Sequence, residues 1–147
     1  MKKALILGVM VVFSLFAVSS AFAGAGKCPQ PRKTKSAPSG TARTDKTAKA
    51  NAANGEKIYM KKAKPMACQM CHGKKGDGTG KLGKAFKPPK APRNFTCAAN
   101  MKKVSAGQMF WIIKNGSKGT GMVAHKKTLK DKEIWDVVKY VRSTFVK

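Results

Sequence analysis

The chain has 147 residues, and its 31 Lys and Arg outnumber six Asp and Glu to give a formal charge of +25. That length suits one modest domain with a single core rather than a multidomain enzyme. Six carboxylates leave little general acid–base machinery, so hydrolytic catalysis is disfavoured, and the charge calls for an anionic counterpart.

The N-terminus reads as an export signal. Lys2 and Lys3 precede an almost wholly apolar run from Ala4 to Val18, and Ala21-Phe22-Ala23 offers an AxA cleavage site. The expected division is a signal peptide over 1–23, a basic low-complexity arm over 24–52 and a folded domain over 53–147. An uncleaved anchor is the alternative, since Ala4 to Ala23 is about 20 residues, enough to span a bilayer. Cations are far denser after this segment than before it, which opposes an anchor with its N-terminus inside. A lipid anchor on Cys28 is set aside because Lys27 stands where a small residue is needed. Cleavage removes two lysines and no acid, leaving +23. An exported chain meets acidic proteins and anionic membrane surfaces, not nucleic acid.

The arm is rich in Lys, Arg, Thr, Ala and Pro, without aromatic residues or apolar periodicity, and is expected to be extended or disordered. Asn51 or Asn54 then caps a short helix carrying Gly55, Ile58 and Tyr59, which Pro65 ends. The segment 73–92 is heavy in Gly, Lys and Pro and reads as a loop wrapped around something. Ser105 with Gln108 forms a capping box opening a second helix through Met109, Phe110, Ile112 and Ile113, stopped by Asn115-Gly116. Thr128 with Asp131 opens the last helix, whose apolar stripe is Ile134, Val137, Val138, Val141 and Phe145. No hairpin signal or internal repeat occurs. The expected fold is all-α, a small domain of three to four helices with long loops.

What those loops would surround is given by Cys68-Gln69-Met70-Cys71-His72, the basis for expecting one covalently bound cofactor. CxxCH is the attachment signature of c-type haem: two thiols three positions apart reach the two vinyl groups of one porphyrin, and the adjacent imidazole binds iron. Zinc and thioredoxin-like sites share the CxxC spacing. Zinc would require a second paired motif, whereas Cys28 and Cys97 stand alone, and a thioredoxin-like site requires a βαβ pattern that is absent. Haem attachment of this type takes place outside the cytoplasm, in agreement with the export signal. Two cysteines remain, and an oxidising compartment permits a Cys28–Cys97 disulfide, although spacing alone leaves free or intermolecular thiols open.

Asn54-Gly55-Glu56 with Tyr59, Cys71-His72-Gly73 followed by Gly76-Asp77-Gly78, Pro92-Arg93-Asn94-Phe95-Thr96 and Gly119-Thr120-Gly121-Met122 together resemble the periplasmic, single-haem class I c-type cytochromes. The resemblance covers Ala53 to Phe145. It implies that Gly55 and Tyr59 pack against Val137 and Tyr140 of the last helix, and that Met122 is the sixth iron ligand opposite His72. A soft thioether favours ferrous iron and raises the potential. Met101 and Met109 are rival methionines, Met109 more suited to the core, and His125 is a rival ligand whose expected place is exposed and idle. Related sequences carry a proline near Lys81 whose carbonyl accepts the histidine Nδ1 proton; here Lys81 would supply that carbonyl. Arg93 is a candidate contact for a haem propionate. With both axial positions filled no substrate site remains, so the expected role is outer-sphere electron transport between exported partners, by a monomeric periplasmic carrier rather than an enzyme. Acidic redox proteins are the expected partners, with peripheral contact to an anionic membrane surface and no nucleic acid. A haem subunit docked permanently in a larger oxidoreductase, or an open-site enzyme or sensor, is the alternative.

Overall fold

The computed structural model describes residues 28–31 and 34–147; the signal segment lies outside these residues. Among them are six α-helices and no strand: α1 (Ser39–Arg43), α2 (Ala52–Lys57), α3 (Gln69–His72), α4 (Ala98–Met101), α5 (Ala106–Asn115) and α6 (Asp131–Thr144). Three of these are only four or five residues long, too short to produce a periodic pattern. No helix among the described residues is long and apolar enough to cross a membrane.

Helices α2 and α6 form the principal packing pair. Asn51 caps α2, its side chain accepting from the Asn54 N–H at 3.0 Å. The helix then widens into one π-helical turn, Ile58–Lys62, which buries Ile58 and Tyr59. A Cβ on Gly55 would collide with the Asp136 carbonyl and lie 2.9 Å from the Tyr140 Cβ, so glycine permits this approach. Tyr59 sits with its ring 5.5 Å from that of Tyr140 and 5.6 Å from that of Phe145. The contacts at Gly55 are therefore with Asp136 and Tyr140. Asp136 is fully buried and its carboxylate accepts from the Asn51 N–H at 2.7 Å and from Asn54 Nδ2 at 2.8 Å. These bonds join the start of α2 to the middle of α6.

The predicted starts of α5 and α6 both need correction. Ser105 Oγ does accept from the Gln108 N–H at 3.1 Å, but the Gln108 side chain does not return to the cap. It accepts instead from the Ala37 N–H at 2.7 Å and donates to the Lys35 carbonyl at 3.1 Å. For α6 the cap is Lys130, whose N–H is taken by Glu133 at 2.8 Å, while Thr128 donates to the Lys64 carbonyl at 3.0 Å.

The arm also departs from expectation. Rather than extended or disordered, its described part contains α1 and a 3₁₀ turn, Thr47–Lys49. Gly107 of α5 lets α1 approach so closely that a Cβ there would strike the Thr41 carbonyl, and Ser105 Oγ donates to the Ala42 carbonyl at 2.6 Å. Ala37 is buried. Composition argued for disorder because the arm lacks aromatic residues and apolar periodicity, but it adheres through backbone groups that composition does not reveal. Cys28 and Cys97 form a disulfide, with Cα atoms 5.4 Å apart, that fastens the arm's start to the N-terminus of α4.

Candidate haem site

A four-residue helix leaves its carbonyls without intrahelical partners, and the glycine-rich loop supplies them. The Met70, Cys71 and His72 carbonyls accept from the N–H groups of Leu82, Gly80 and Gly78 at 2.8, 3.1 and 2.9 Å. Tyr59 donates its hydroxyl to the Gly73 carbonyl at 2.7 Å, fixing the end of α3 to the α2 side of the core. Thus the loop over 73–92, read as wrapping around something, wraps first around the attachment motif.

Cys68, Cys71 and His72 line one cavity, with walls that include Tyr59, Phe95, Met101, Val104, Met109, Ile112, Met122 and Val141. Burial pushes the Cys68 thiol up to about 12 and raises Cys71 as well, so both remain protonated at neutral pH. Burial lowers the His72 pKa against an opposing backbone hydrogen bond, favouring the neutral imidazole. Its ring stacks on Phe95 with centroids 4.5 Å apart, and Nδ1 lies 3.0 Å from the Arg93 carbonyl. A carbonyl only accepts, so Nδ1 carries the proton and the Nε2 lone pair is left for a metal. Lys81 does not provide this acceptor. Gly80 and Leu82 hold its stretch of chain on the Cys71 and Met70 carbonyls, whereas the 92–95 segment passes the imidazole.

Beyond α5, Gly116 turns the chain at φ 71° and the Ser117 N–H donates to the Met122 carbonyl at 2.9 Å. That tight turn presents Met122 to the cavity, where Met101 and Met109 also lie. Arg93 lines the cavity too and donates Nη1 to the Gln30 carbonyl at 3.4 Å. His125, expected to be exposed, is 3% exposed and lines the cavity. Burial lowers its pKa, a hydrogen bond to the Lys64 backbone acting the other way.

The residues present fit a haem. Two thiols, a neutral imidazole with one free nitrogen and a thioether share an apolar cavity. The buried Ser117 Oγ and His125 Nδ1 line the same cavity and have no hydrogen-bond partner among the described residues. Zinc is a poorer fit, since the disulfide engages the remaining two cysteines. Sequence reasoning missed Gln30, Gln108 and Ser117; Gln108 alone carried a signal, which the capping-box reading absorbed.

An all-α fold with CxxCH on a short helix and an Nδ1-anchored histidine in an apolar cavity defines a class I c-type cytochrome. The chain belongs to the family described as cytochrome c oxidase, cbb3-type, subunit III, whose pattern matches residues 50–141. That family implies covalently bound haem c, and its domains are typically exported. No curated protein sequence matches the chain. Among solved structures, it is similar to a chain of the Kuenenia stuttgartiensis reducing HAO-like protein complex Kustc0457/Kustc0458. That likeness has 30% identity and a TM-score of 0.55, and covers 71% of this chain and 46% of that one. This chain thus spans less than half the length of the Kuenenia protein. It is also similar to the c-type cytochrome SorU from Sinorhizobium meliloti, at 23% identity and a TM-score of 0.45, covering 65% of this chain and 92% of that one.

Proposed function

We propose that the protein is an exported, periplasmic electron carrier with a single haem, attached through Cys68 and Cys71 and ligated axially by His72 and Met122. The observation that carries this reading is the convergence of those four side chains on one apolar cavity. Haem iron so held supplies one-electron chemistry with no position open to substrate. The chain's own residues do the rest: the Arg93 carbonyl and Phe95 orient His72, the turn 117–122 presents Met122, and the aliphatic walls exclude water. Arg93, which lines the same cavity, would meet a haem propionate.

Acidic redox proteins are the proposed partners. Leu82 and Val123 are exposed apolar residues, and Lys81, Lys84, Lys87 and Lys90 are exposed on the loop that carries Leu82. Leu82 with the lysines of its loop offers contact area and long-range attraction, and the attraction weakens with salt. Similarity to a chain of a multiprotein complex favours a second reading, a haem subunit permanently docked in a larger oxidoreductase. Electron exchange with an acidic partner, followed by rapid mixing across a salt series, tests the carrier. Rates that fall steeply with salt support it. A partner that co-purifies and survives high salt supports the docked subunit, and prompt carbon monoxide binding to the reduced protein overturns the closed-site reading in favour of an enzyme or sensor.

A further inference from the structure

The peptide group between Arg93 and Asn94 is engaged at both ends. Its carbonyl accepts the Nδ1 proton of His72 at 3.0 Å, and its N–H donates to Oε1 of Gln30 at 2.8 Å. Gln30 also donates Nε2 to the Pro92 carbonyl at 3.0 Å, so one side-chain amide grips the chain on both sides of Arg93. Its main chain is equally committed: the Gln30 N–H donates to Asn100 Oδ1 at 2.7 Å, and its carbonyl accepts from Asn100 Nδ2 at 3.0 Å and Arg93 Nη1 at 3.4 Å. Gln30 is 8% exposed, although it belongs to the polar arm. It lies two residues from Cys28, whose disulfide partner Cys97 lies three residues beyond Asn94. The disulfide therefore delivers Gln30 to this one stretch of chain.

We infer that Gln30 is a positioning residue for the axial histidine, acting through the Arg93–Asn94 peptide. The N–H and C=O of a peptide are conjugated, and hydrogen bonds in series polarise one another. By accepting the Asn94 N–H, Gln30 increases the negative charge on the Arg93 oxygen and strengthens its hold on the Nδ1 proton. A stronger bond at Nδ1 makes the imidazole more basic at Nε2, which favours ferric over ferrous iron. Gln30 thereby tunes the reduction potential without itself lining the haem cavity. This inference rests on the reading of His72 as an axial ligand.

The test compares holoprotein carrying Gln30→Leu or Gln30→Glu with the unaltered chain, by redox titration and by proton NMR of the His72 Nδ1–H in the diamagnetic ferrous state. Gln30→Leu removes the acceptor. It is expected to move the ferric–ferrous equilibrium toward ferrous by about twofold and to shift the Nδ1–H resonance upfield. Gln30→Glu gives up the donation to Pro92 but keeps a stronger acceptor toward the Asn94 N–H, and is expected to lower the potential and shift the resonance downfield. Opposite shifts of the proton resonance support the inference, because loosened packing alone would move both variants the same way. Unchanged resonances, or shifts of one sign in both variants, overturn it. If Gln30→Leu does not assemble, Gln30→Glu decides alone: a downfield shift supports the inference, and no shift or an upfield one overturns it. Failure of the unaltered protein to give reduced c-type bands would overturn the haem reading instead.

Discussion

Replacing Asp136 should uncouple α2 from α6. Its fully buried carboxylate accepts two hydrogen bonds, from the Asn51 N–H at 2.7 Å and Asn54 Nδ2 at 2.8 Å, and lies 3.6 Å from the exposed Lys132 ammonium. Hydrogen bonds to a charged group contribute about 1.5–3 kcal/mol each. Both donors sit where water can partly replace the lost acceptor, so Asp136→Ala is expected to cost about 3 kcal/mol. Asp136→Asn retains one acceptor oxygen and should cost about half as much, because its amide NH₂ meets a donor at the second position. The ion pair with Lys132 contributes little, since Lys132 is mostly exposed, and Lys132→Ala should cost about 0.5 kcal/mol or less. Urea unfolding of the holoprotein, read by tryptophan fluorescence, gives all three values, with an unchanged slope expected if only stability is altered. A cost under about 1 kcal/mol for Asp136→Ala, or an equal cost for Lys132→Ala, would refute the assignment of the α2–α6 junction to these hydrogen bonds.

Replacing both Cys28 and Cys97 by Ser opens a loop with a sequence separation of 69 and should lower stability by about 4 kcal/mol in the chain-entropy model, measurable as a lower urea midpoint. His125→Phe should leave the spectrum of the ferric haem unaltered, because the ring fills a buried place in the cavity wall; an unaltered chain without the methionine-to-iron absorption band, whose ferric spectrum changes on this substitution, would instead make His125 a ligand. Desolvation would raise the Asp77 pKa, but hydrogen bonds from the Thr79 hydroxyl at 2.6 Å and the Thr79 N–H at 3.0 Å outweigh it and hold the carboxyl below 3.8. A depressed carboxylate stabilises the fold above its unfolded pKa and loses that effect as pH falls through the folded value. Urea midpoints should therefore fall more steeply below pH of about 4 in the unaltered chain than in Asp77→Asn, and equal slopes would contradict this.

Local signals in the sequence carried much of the site. CxxCH named two thiols and an imidazole, and the structure places them on one cavity wall. The Asn51 cap and the α6 stripe were legible because capping and 3.6-residue periodicity are written in adjacent residues. Contacts between distant segments were not. The Nδ1 acceptor proved to be Arg93 rather than Lys81 because the choice depends on which loop crosses the imidazole, and a backbone carbonyl leaves no trace in residue type. The burial of His125 was missed because a lone histidine near a lysine pair resembles a surface residue, while its backbone N–H meets the Ile113 carbonyl of α5 and its side chain meets the Lys64 backbone only after folding. The arm was misread for the same reason: Gln30 and Ala37 are buried by partners more than 60 residues away.

The central claim is that one haem joins Cys68 and Cys71 and is ligated by His72 and Met122. Its most direct test is the absorption spectrum of the purified, exported protein, oxidised and reduced, extended into the near infrared, for the unaltered chain, Met109→Ala and Met122→Ala. The account predicts reduced c-type bands in all three, with the weak ferric band of methionine ligation present in the first two and absent from Met122→Ala. Persistence of that band in Met122→Ala, or its absence from the unaltered chain, would contradict the assignment.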